Sequence, residues 1–273
     1  MIDLHLHTTA SDGTLTPSTL VARAAGAGLR IIAITDHDTL DGLEEARGAA
    51  TTHGIRLIDG VEITAVEDQR DVHLLGYFVD PANGGLRDFL STQRADRVRR
   101  VREMASRLAT LGFPVDVESL IAGAALKPGR SVGRPQIAAA LVAAGHARDW
   151  QDAFDRLIGT DGAAYVARRG ARPEDAIGIV RRAGGLVSMA HPAVTKLDHI
   201  IPRLASAGMA ALEVRHSDHD AAAEQHYRAL AAQHGLAVSG GSDYHGDGGH
   251  RAAMLGAVIL SAEDFSVFES RRG

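Results

Sequence analysis

The sequence contains no cysteine. Disulfides and thiolate metal sites are therefore excluded, and any bound metal must rely on nitrogen and oxygen ligands. Lysine is nearly absent: Lys127 and Lys196 are the only two, so almost every basic residue is arginine. That bias is what a GC-rich coding sequence favours, and it carries no functional weight by itself. Aromatic residues make up only 4% of the chain, which argues against broad base-stacking platforms. No apolar run approaches membrane-spanning length, and the N-terminus shows neither the basic nor the apolar segment of a secretory signal. A soluble cytoplasmic protein without a membrane partner is the expectation. The formal charge of −5 argues against a surface that coats long duplex nucleic acid, while leaving room for a local basic groove.

What is present suits one large α/β domain carrying an insertion: 273 residues, 45% of them apolar and 23% charged. Seven short apolar segments read as strands, at 2–6, 30–35, 57–64, 71–79, 185–190, 210–215 and 236–240. Helical patterns follow several of them. "TPSTLVARAAGAGL" opens with Thr16 as N-cap and Pro17 at the first helical position, and Gly28 stands near its stop. This alternation predicts a parallel sheet or barrel. The link "VEDQRD" between the third and fourth strands is too short for a helical crossover and predicts a hairpin. Residues 86–164 carry no convincing strand. Their long helix has Phe89, Leu90, Val98, Val101, Met104, Ala105 and Leu108 on its apolar side. The expected division is a barrel of residues 1–85 and 165–273, interrupted by a helical insertion at 86–164.

Side chains alternate faces along a strand, so "IDLHLH" puts Asp3, His5 and His7 on one face. Two imidazoles so placed can converge on one cation or bond each other within a core. The rest of the chain favours the cation. "AITDHD" brings His37 to the end of a strand, "GVEIT" carries Glu62, "DVHLLGYF" carries His73, "SMAHP" ends on His191, and "SGGSDYHG" supplies Asp243 and His245. Asp12 follows the first strand. Nearly every strand thus delivers an imidazole or a carboxylate, mostly at its C-terminal end, the rim at which parallel barrels perform chemistry. Such groups are costly to bury unpaired, and cations compensate them together. The mixture suits zinc, manganese or iron. Nine candidate ligands exceed the needs of one ion and imply two or three.

These motifs, spread over residues 3 to 246, resemble those of the PHP (polymerase and histidinol phosphatase) family. The resemblance implies a distorted seven-stranded (β/α)7 barrel, TIM-like, with a trinuclear metal site at the strand ends. It would place His5, His7, Glu62 and Asp243 on one ion. Glu62 would bridge to a second ion, held also by His73 and His191, and Asp12, His37 and His245 would hold the third. The activity implied is metal-dependent hydrolysis of a phosphate ester, with Glu62, Asp12 and His245 in catalytic roles. Protonation of the leaving group falls to Asp12, His245 or a metal-bound water.

The helical insertion, with "QRADRVRRV" and "VGRPQIAAAL", resembles the branch of the family that contains small nucleotide phosphatases and a 5′→3′ exoribonuclease. Arg94 and Arg97, one turn apart, and Arg134 are candidate phosphate clamps; Lys127 and Arg130 are weaker ones. Gln136, also a substrate-binding candidate, stands where relatives often carry histidine and cannot titrate near neutral pH. The expected substrate is a small phosphorylated nucleotide, such as adenosine 3′,5′-bisphosphate or 5′-AMP. The alternatives are a short oligonucleotide, histidinol phosphate, or a non-catalytic metal-stabilised role. His216 and His219 are expected on the reactive rim. His53, His146, His199, His226 and His234 are expected at the surface or at helix ends, and Asp36 is expected to orient an imidazole.

Overall fold

The computed structural model of the chain describes residues 1–125, 132–247 and 251–272; Lys127 and Arg130 lie outside them. Seven strands, β1 (Ile2–Leu6), β2 (Ile31–Ile34), β3 (Arg56–Glu67), β4 (Arg70–Tyr77), β5 (Leu186–Met189), β6 (Ala211–His216) and β7 (Ala237–Gly241), form one sheet in sequential order. All neighbouring pairs are parallel except β3–β4 and β4–β5. The sheet curls until the chain beyond β7 meets β1, through a parallel bridge between Leu6 and Tyr244 and a 3.0 Å bond from His7 N–H to the Tyr244 carbonyl. The result is nearly a barrel, as the sequence predicts.

The hairpin is tighter than the sequence suggested. β3 runs on to Glu67 and β4 starts at Arg70, leaving Asp68 and Gln69 as a two-residue turn. Both have positive φ (47° and 63°), the geometry whose twist matches that of the flanking strands. Because β4 runs against its neighbours, its N-terminal half lies at the rim where the parallel strands end. That reversal brings Asp71 and His73 to the same end of the barrel as His37 and Asp243.

The α-helices among the described residues are α1 (Pro17–Gly26), α2 (Leu43–His53), α3 (Gly84–Thr110), α4 (Val117–Ala125), α5 (Arg134–Ala143), α6 (Trp150–Ala153), α7 (Pro173–Arg182), α8 (Pro192–Thr195), α9 (Ile201–Ser206), α10 (Ala221–Gln233) and α11 (Ala262–Glu269), and a π-helical turn, Phe154–Ile158, continues α6. Thr16 caps α1 by accepting from Thr19 N–H. Leu4, Leu6, Ile32, Ile34, Ile63 and Leu212 belong to the barrel's apolar core, together with Leu20, Val21 and Ile177 from its helices. A second core gathers Val101, Met104 and Leu108 of α3 with Ile137, Leu141, Leu157 and Ile158.

The inward stripe of α3 is not wholly apolar. Gln93 and Arg100 are buried on it, with Arg97 between them. Gln93 Nε2 donates to the Thr64 carbonyl, and Arg100 Nε donates to the Val166 carbonyl. The helix lies over the barrel rim, so its inner face meets strand ends and acids as well as core.

Candidate metal centre

All nine candidate ligands meet at the rim. Glu62, 1% exposed, is their hub. Its Oε2 lies 3.3 Å from His5 Nε2, 3.1 Å from His7 Nε2 and 3.2 Å from His37 Nδ1. Its Oε1 lies 2.6 Å from His73 Nδ1 and 3.4 Å from His191 Nε2. Asp243 Oδ1 closes the inner group, at 3.4 Å from His5 Nε2 and 3.2 Å from His7 Nε2. Asp12 sits outermost, 3.3 Å from His245 Nε2 and 3.7 Å from His37 Nε2.

Eight of the nine fall into overlapping sets tight enough to share a cation: His5, His7, Glu62 and Asp243; His7, Asp12, His37 and His245; and His37, Glu62 and His73; His191 joins them through Glu62 Oε1. His7 Nε2, His37 Nδ1, His73 Nδ1, Glu62 Oε1 and Asp243 Oδ1 are buried within bonding distance of opposite partners, yet among the described residues none has a hydrogen bond. The distances suffice and the angles do not, because the atoms converge on common points rather than on one another. Such orphaned polar atoms are otherwise costly. The donor set therefore fits divalent cations of the zinc, manganese or iron type.

Backbone geometry supports the cluster. Asp38 (φ 54°), His191 (φ 27°) and Asp243 (φ 52°) adopt left-handed conformations that non-glycine residues take only when their surroundings hold them there. Electrostatics agree. Burial pushes Glu62 and Asp243 up, but the imidazoles outweigh it and hold both well below the usual carboxylate range. Burial drives His37 down to about 3, the neutral form a cation requires. Burial also works against charge on His7, yet Asp243 and Glu62 beside it push it up to about 10, so a cation bound there would displace that proton.

Asp36 does not orient an imidazole. It accepts from Thr8 N–H and Oγ1, both at 2.7 Å, and from Ser11 Oγ at 2.6 Å, so it braces the loop that carries Asp12. The orienting carboxylate is Glu213 on β6, which the sequence reading passed over. It accepts from His5 Nδ1 at 2.8 Å and from the His191 N–H at 2.7 Å. A lone acid between Leu212 and Val214 was the available signal. His216 is buried against the cluster, its Nε2 3.3 Å from Asp243 Oδ2. His219 is bonded to the Val214 carbonyl. His53, His146, His199, His226 and His234 are exposed or half-buried, as expected.

A cleft of about 940 Å³ opens over the cluster. Among the residues facing it are Arg97, Arg100, Arg134, Arg168 and Arg251. Arg97 Nε lies 2.6 Å from Asp38 Oδ2, which Arg168 shares at 3.3 Å. Arg100 and Arg134 both lie 3.0 Å from Asp71 Oδ2. Four guanidinium groups thus crowd onto two carboxylates. Burial and the neighbouring Arg97 depress Arg168 to about 10. Among the described residues Arg100 Nη2 and Arg168 Nε have no hydrogen-bond partner, though Asp96 Oδ2 lies 3.9 Å from the latter. The two remaining sequence candidates are tied elsewhere: Arg94 donates to the Asp38 carbonyl at 2.7 Å, and Gln136 accepts the Gly133 N–H at 2.8 Å, bracing the start of α5.

Comparison with known proteins agrees with this geometry. The PHP domain profile matches residues 3–161. The chain is 34% identical over 255 residues to a 3′,5′-nucleoside bisphosphate phosphatase of Chromobacterium violaceum, covering 91% of this chain and 89% of that protein. It is 35% identical over 250 residues to the 5′-3′ exoribonuclease Rnm of Salmonella typhimurium, covering 89% and 84%. A crystal structure from Bifidobacterium adolescentis, assigned as a metal-dependent phosphoesterase, superposes with a TM-score of 0.89 at 34% identity, over 100% of this chain and 96% of that one. The chain belongs to the PHP domain family.

Proposed function

We propose that this chain is a metal-dependent hydrolase that releases phosphate from nucleotide monoesters, with adenosine 3′,5′-bisphosphate preferred and 5′-AMP a weaker substrate. The observation that carries the proposal is the pairing of nine converging imidazole and carboxylate side chains with a surplus of arginine in one cleft. A cation cluster alone suits many hydrolases. Guanidinium groups in surplus over their acids suit a ligand with several negative oxygens. The kinship with the bisphosphate phosphatase of Chromobacterium violaceum supports the same reading.

In this proposal two or three divalent ions, manganese, zinc or iron, occupy the cluster. His5, His7, Glu62 and Asp243 hold one, Glu62, His73 and His191 a second, and Asp12, His37 and His245 a third. Bound there, such ions lower the pKa of water towards neutrality and neutralise the phosphate oxygens. The protein does the rest by positioning. Arg97 and Arg134, with Arg100 and Arg168 behind them, hold the phosphate. Asp38 and Asp71 fix those guanidinium groups, so little freedom is lost on binding. His245 Nδ1 lies 2.9 Å from the Asp243 carbonyl, which leaves Nε2 facing Asp12 at the open side of the cluster. When only the inner two ions are bound, that pair is free to carry the proton the leaving oxygen takes; with the third ion bound, water supplies that proton. Residues 1–85 and 165–273 form the barrel in this scheme. Residues 86–164 form an insertion that roofs the cleft, and the separate apolar core around Met104 and Leu141 supports that division.

The test is phosphate release by the manganese-loaded protein from adenosine 3′,5′-bisphosphate, 5′-AMP, histidinol phosphate and a short 5′-phosphorylated RNA. Release fastest from the bisphosphate supports the proposal. Mononucleotide release from the RNA at a higher kcat/KM favours the exoribonuclease reading, and release from none with metal bound favours a non-catalytic role.

A further inference from the structure

Trp150 is the only tryptophan in the chain, and it is 47% exposed. A single exposed apolar side chain is ordinary; Trp150 is set apart by its position on the cleft. It opens α6, outside both buried cores, and its ring faces the cleft above the metal cluster. Phe154, one turn on, packs beside it with ring centroids 4.1 Å apart and planes 30° from parallel. Phe154 is also the ring over which the Arg134 guanidinium lies, at 5.7 Å. Arg134 reaches Asp71 at 3.0 Å, and Asp71 shares a face of β4 with His73. A continuous wall therefore runs from the ligand His73 through Asp71, Arg134 and Phe154 to Trp150. It begins ionic and ends aromatic, and Val101 and Met104 of α3 add apolar surface to the same cleft.

The geometry points to Trp150 and Phe154 as a stacking shelf for the flat, aromatic part of the substrate, the nucleobase, while the phosphate lies at the cluster. This rests on the phosphatase reading for where the phosphate sits, and it adds how the rest of the ligand is recognised. Scarcity of aromatics elsewhere is no obstacle, since one base needs one shelf. Stacking is indifferent to base identity because every base offers a π-face. The shelf should therefore discriminate nucleotides from sugar phosphates rather than adenine from guanine.

A lone tryptophan makes the test direct. Its fluorescence is followed while the manganese-free protein is titrated with 5′-AMP, with 5′-GMP and with ribose 5-phosphate. Steady-state kinetics of the manganese-loaded protein and its Trp150→Ala and Trp150→Phe variants are then compared on 5′-AMP and ribose 5-phosphate. The expected result is saturable quenching by both nucleotides and none by the sugar phosphate. The preference for 5′-AMP, as a ratio of kcat/KM values, should fall about tenfold in Trp150→Ala, since a base–aromatic stack is worth about 1–3 kcal/mol, and recover in Trp150→Phe. Equal quenching by ribose 5-phosphate, or a preference that survives in Trp150→Ala, overturns the shelf. Quenching by nucleotides without any phosphate release upholds the shelf and overturns the phosphatase reading, so the two fail separately.

Discussion

Glu213 holds His5: their side chains meet at 2.8 Å, Oε1 to Nδ1, both fully buried. An imidazole bonded through Nδ1 presents Nε2 to the cluster, which fixes both its tautomer and its direction. The other oxygen of Glu213 takes the N–H of His191, whose backbone is left-handed. One carboxylate on β6 thus fixes two imidazoles of the cluster, His5 on β1 and His191 just after β5. Glu213→Ala should weaken manganese affinity about 10–100-fold, measured by calorimetric titration on protein whose circular dichroism is unchanged. Glu213→Gln should fall between, because its amide has one acceptor oxygen for two donors. Equal affinity in Glu213→Ala and the parent would remove the orienting role.

The same substitution at two glycines should act with opposite sign. A Cβ on Gly241 would lie 2.3 Å from the His5 nitrogen and 2.5 Å from its Cβ, so β7 can pass β1 only without a side chain there. Gly241→Ala should destabilise by about 1–3 kcal/mol as an overpacked site, and loosen the metal by displacing His5. On α2, a Cβ at Gly48 meets nothing within 4 Å. Gly48→Ala should therefore stabilise by about 0.5–1 kcal/mol through helix propensity. Urea titrations of both variants check the pair; loss of stability in both, or in neither, would contradict the contact geometry.

The clustering of these side chains was legible in the sequence because strand alternation and strand ends are local patterns. His5 and His7 needed only a period of two, and His37, His191 and Asp243 needed only a position where a strand stops. Glu213 was not legible, since its meaning depends on β6 lying within reach of β1, a contact 208 residues apart. Arg168 escaped notice for the same reason: its partner Asp38 is 130 residues away. Arg94, Arg97 and Gln136 drew attention by type. Only the fold separates Arg97, which faces the cleft, from Arg94, tied to a carbonyl, and Gln136, which braces its own helix. The polar stripe of α3 was hidden because an apolar-side reading discards Gln93 and Arg100, which the rim makes burial sites.

Asp38 should impose an acid limit on stability. Burial pushes its carboxyl up, but Arg97 and Arg168 outweigh burial and hold it below its ordinary value of 3.8. The folded state therefore takes up this proton less readily than the unfolded chain does. Its contribution is fully present above about pH 4 and is lost as pH falls through the lowered value. Asp38→Asn leaves Arg97 without a carboxylate and Arg168 with only Asp96 at 3.9 Å, and should cost about 3–5 kcal/mol at neutral pH. The gap between variant and parent, from urea unfolding at pH 7 and across the acid range, should narrow as the pH drops. A gap that stays constant down to acid unfolding would show that Asp38 carries no differential ionisation.

Metal removal should weaken the fold in proportion to how many ligands an ion ties together. An ion that binds only the folded state stabilises it by about 2.7 kcal/mol when present at one hundred times its dissociation constant. For a chain of 273 residues that corresponds to a rise in melting temperature of roughly 5 °C. Chelation should abolish that rise together with phosphate release, and added manganese should restore both. Glu62 faces five imidazoles and Asp12 with His245 only the outer edge. The manganese-dependent rise should therefore collapse in Glu62→Gln and persist, reduced, in His245→Ala. Equal rises in the two variants would mean that Glu62 is not shared between ions, and the bridging assignment would have to be abandoned.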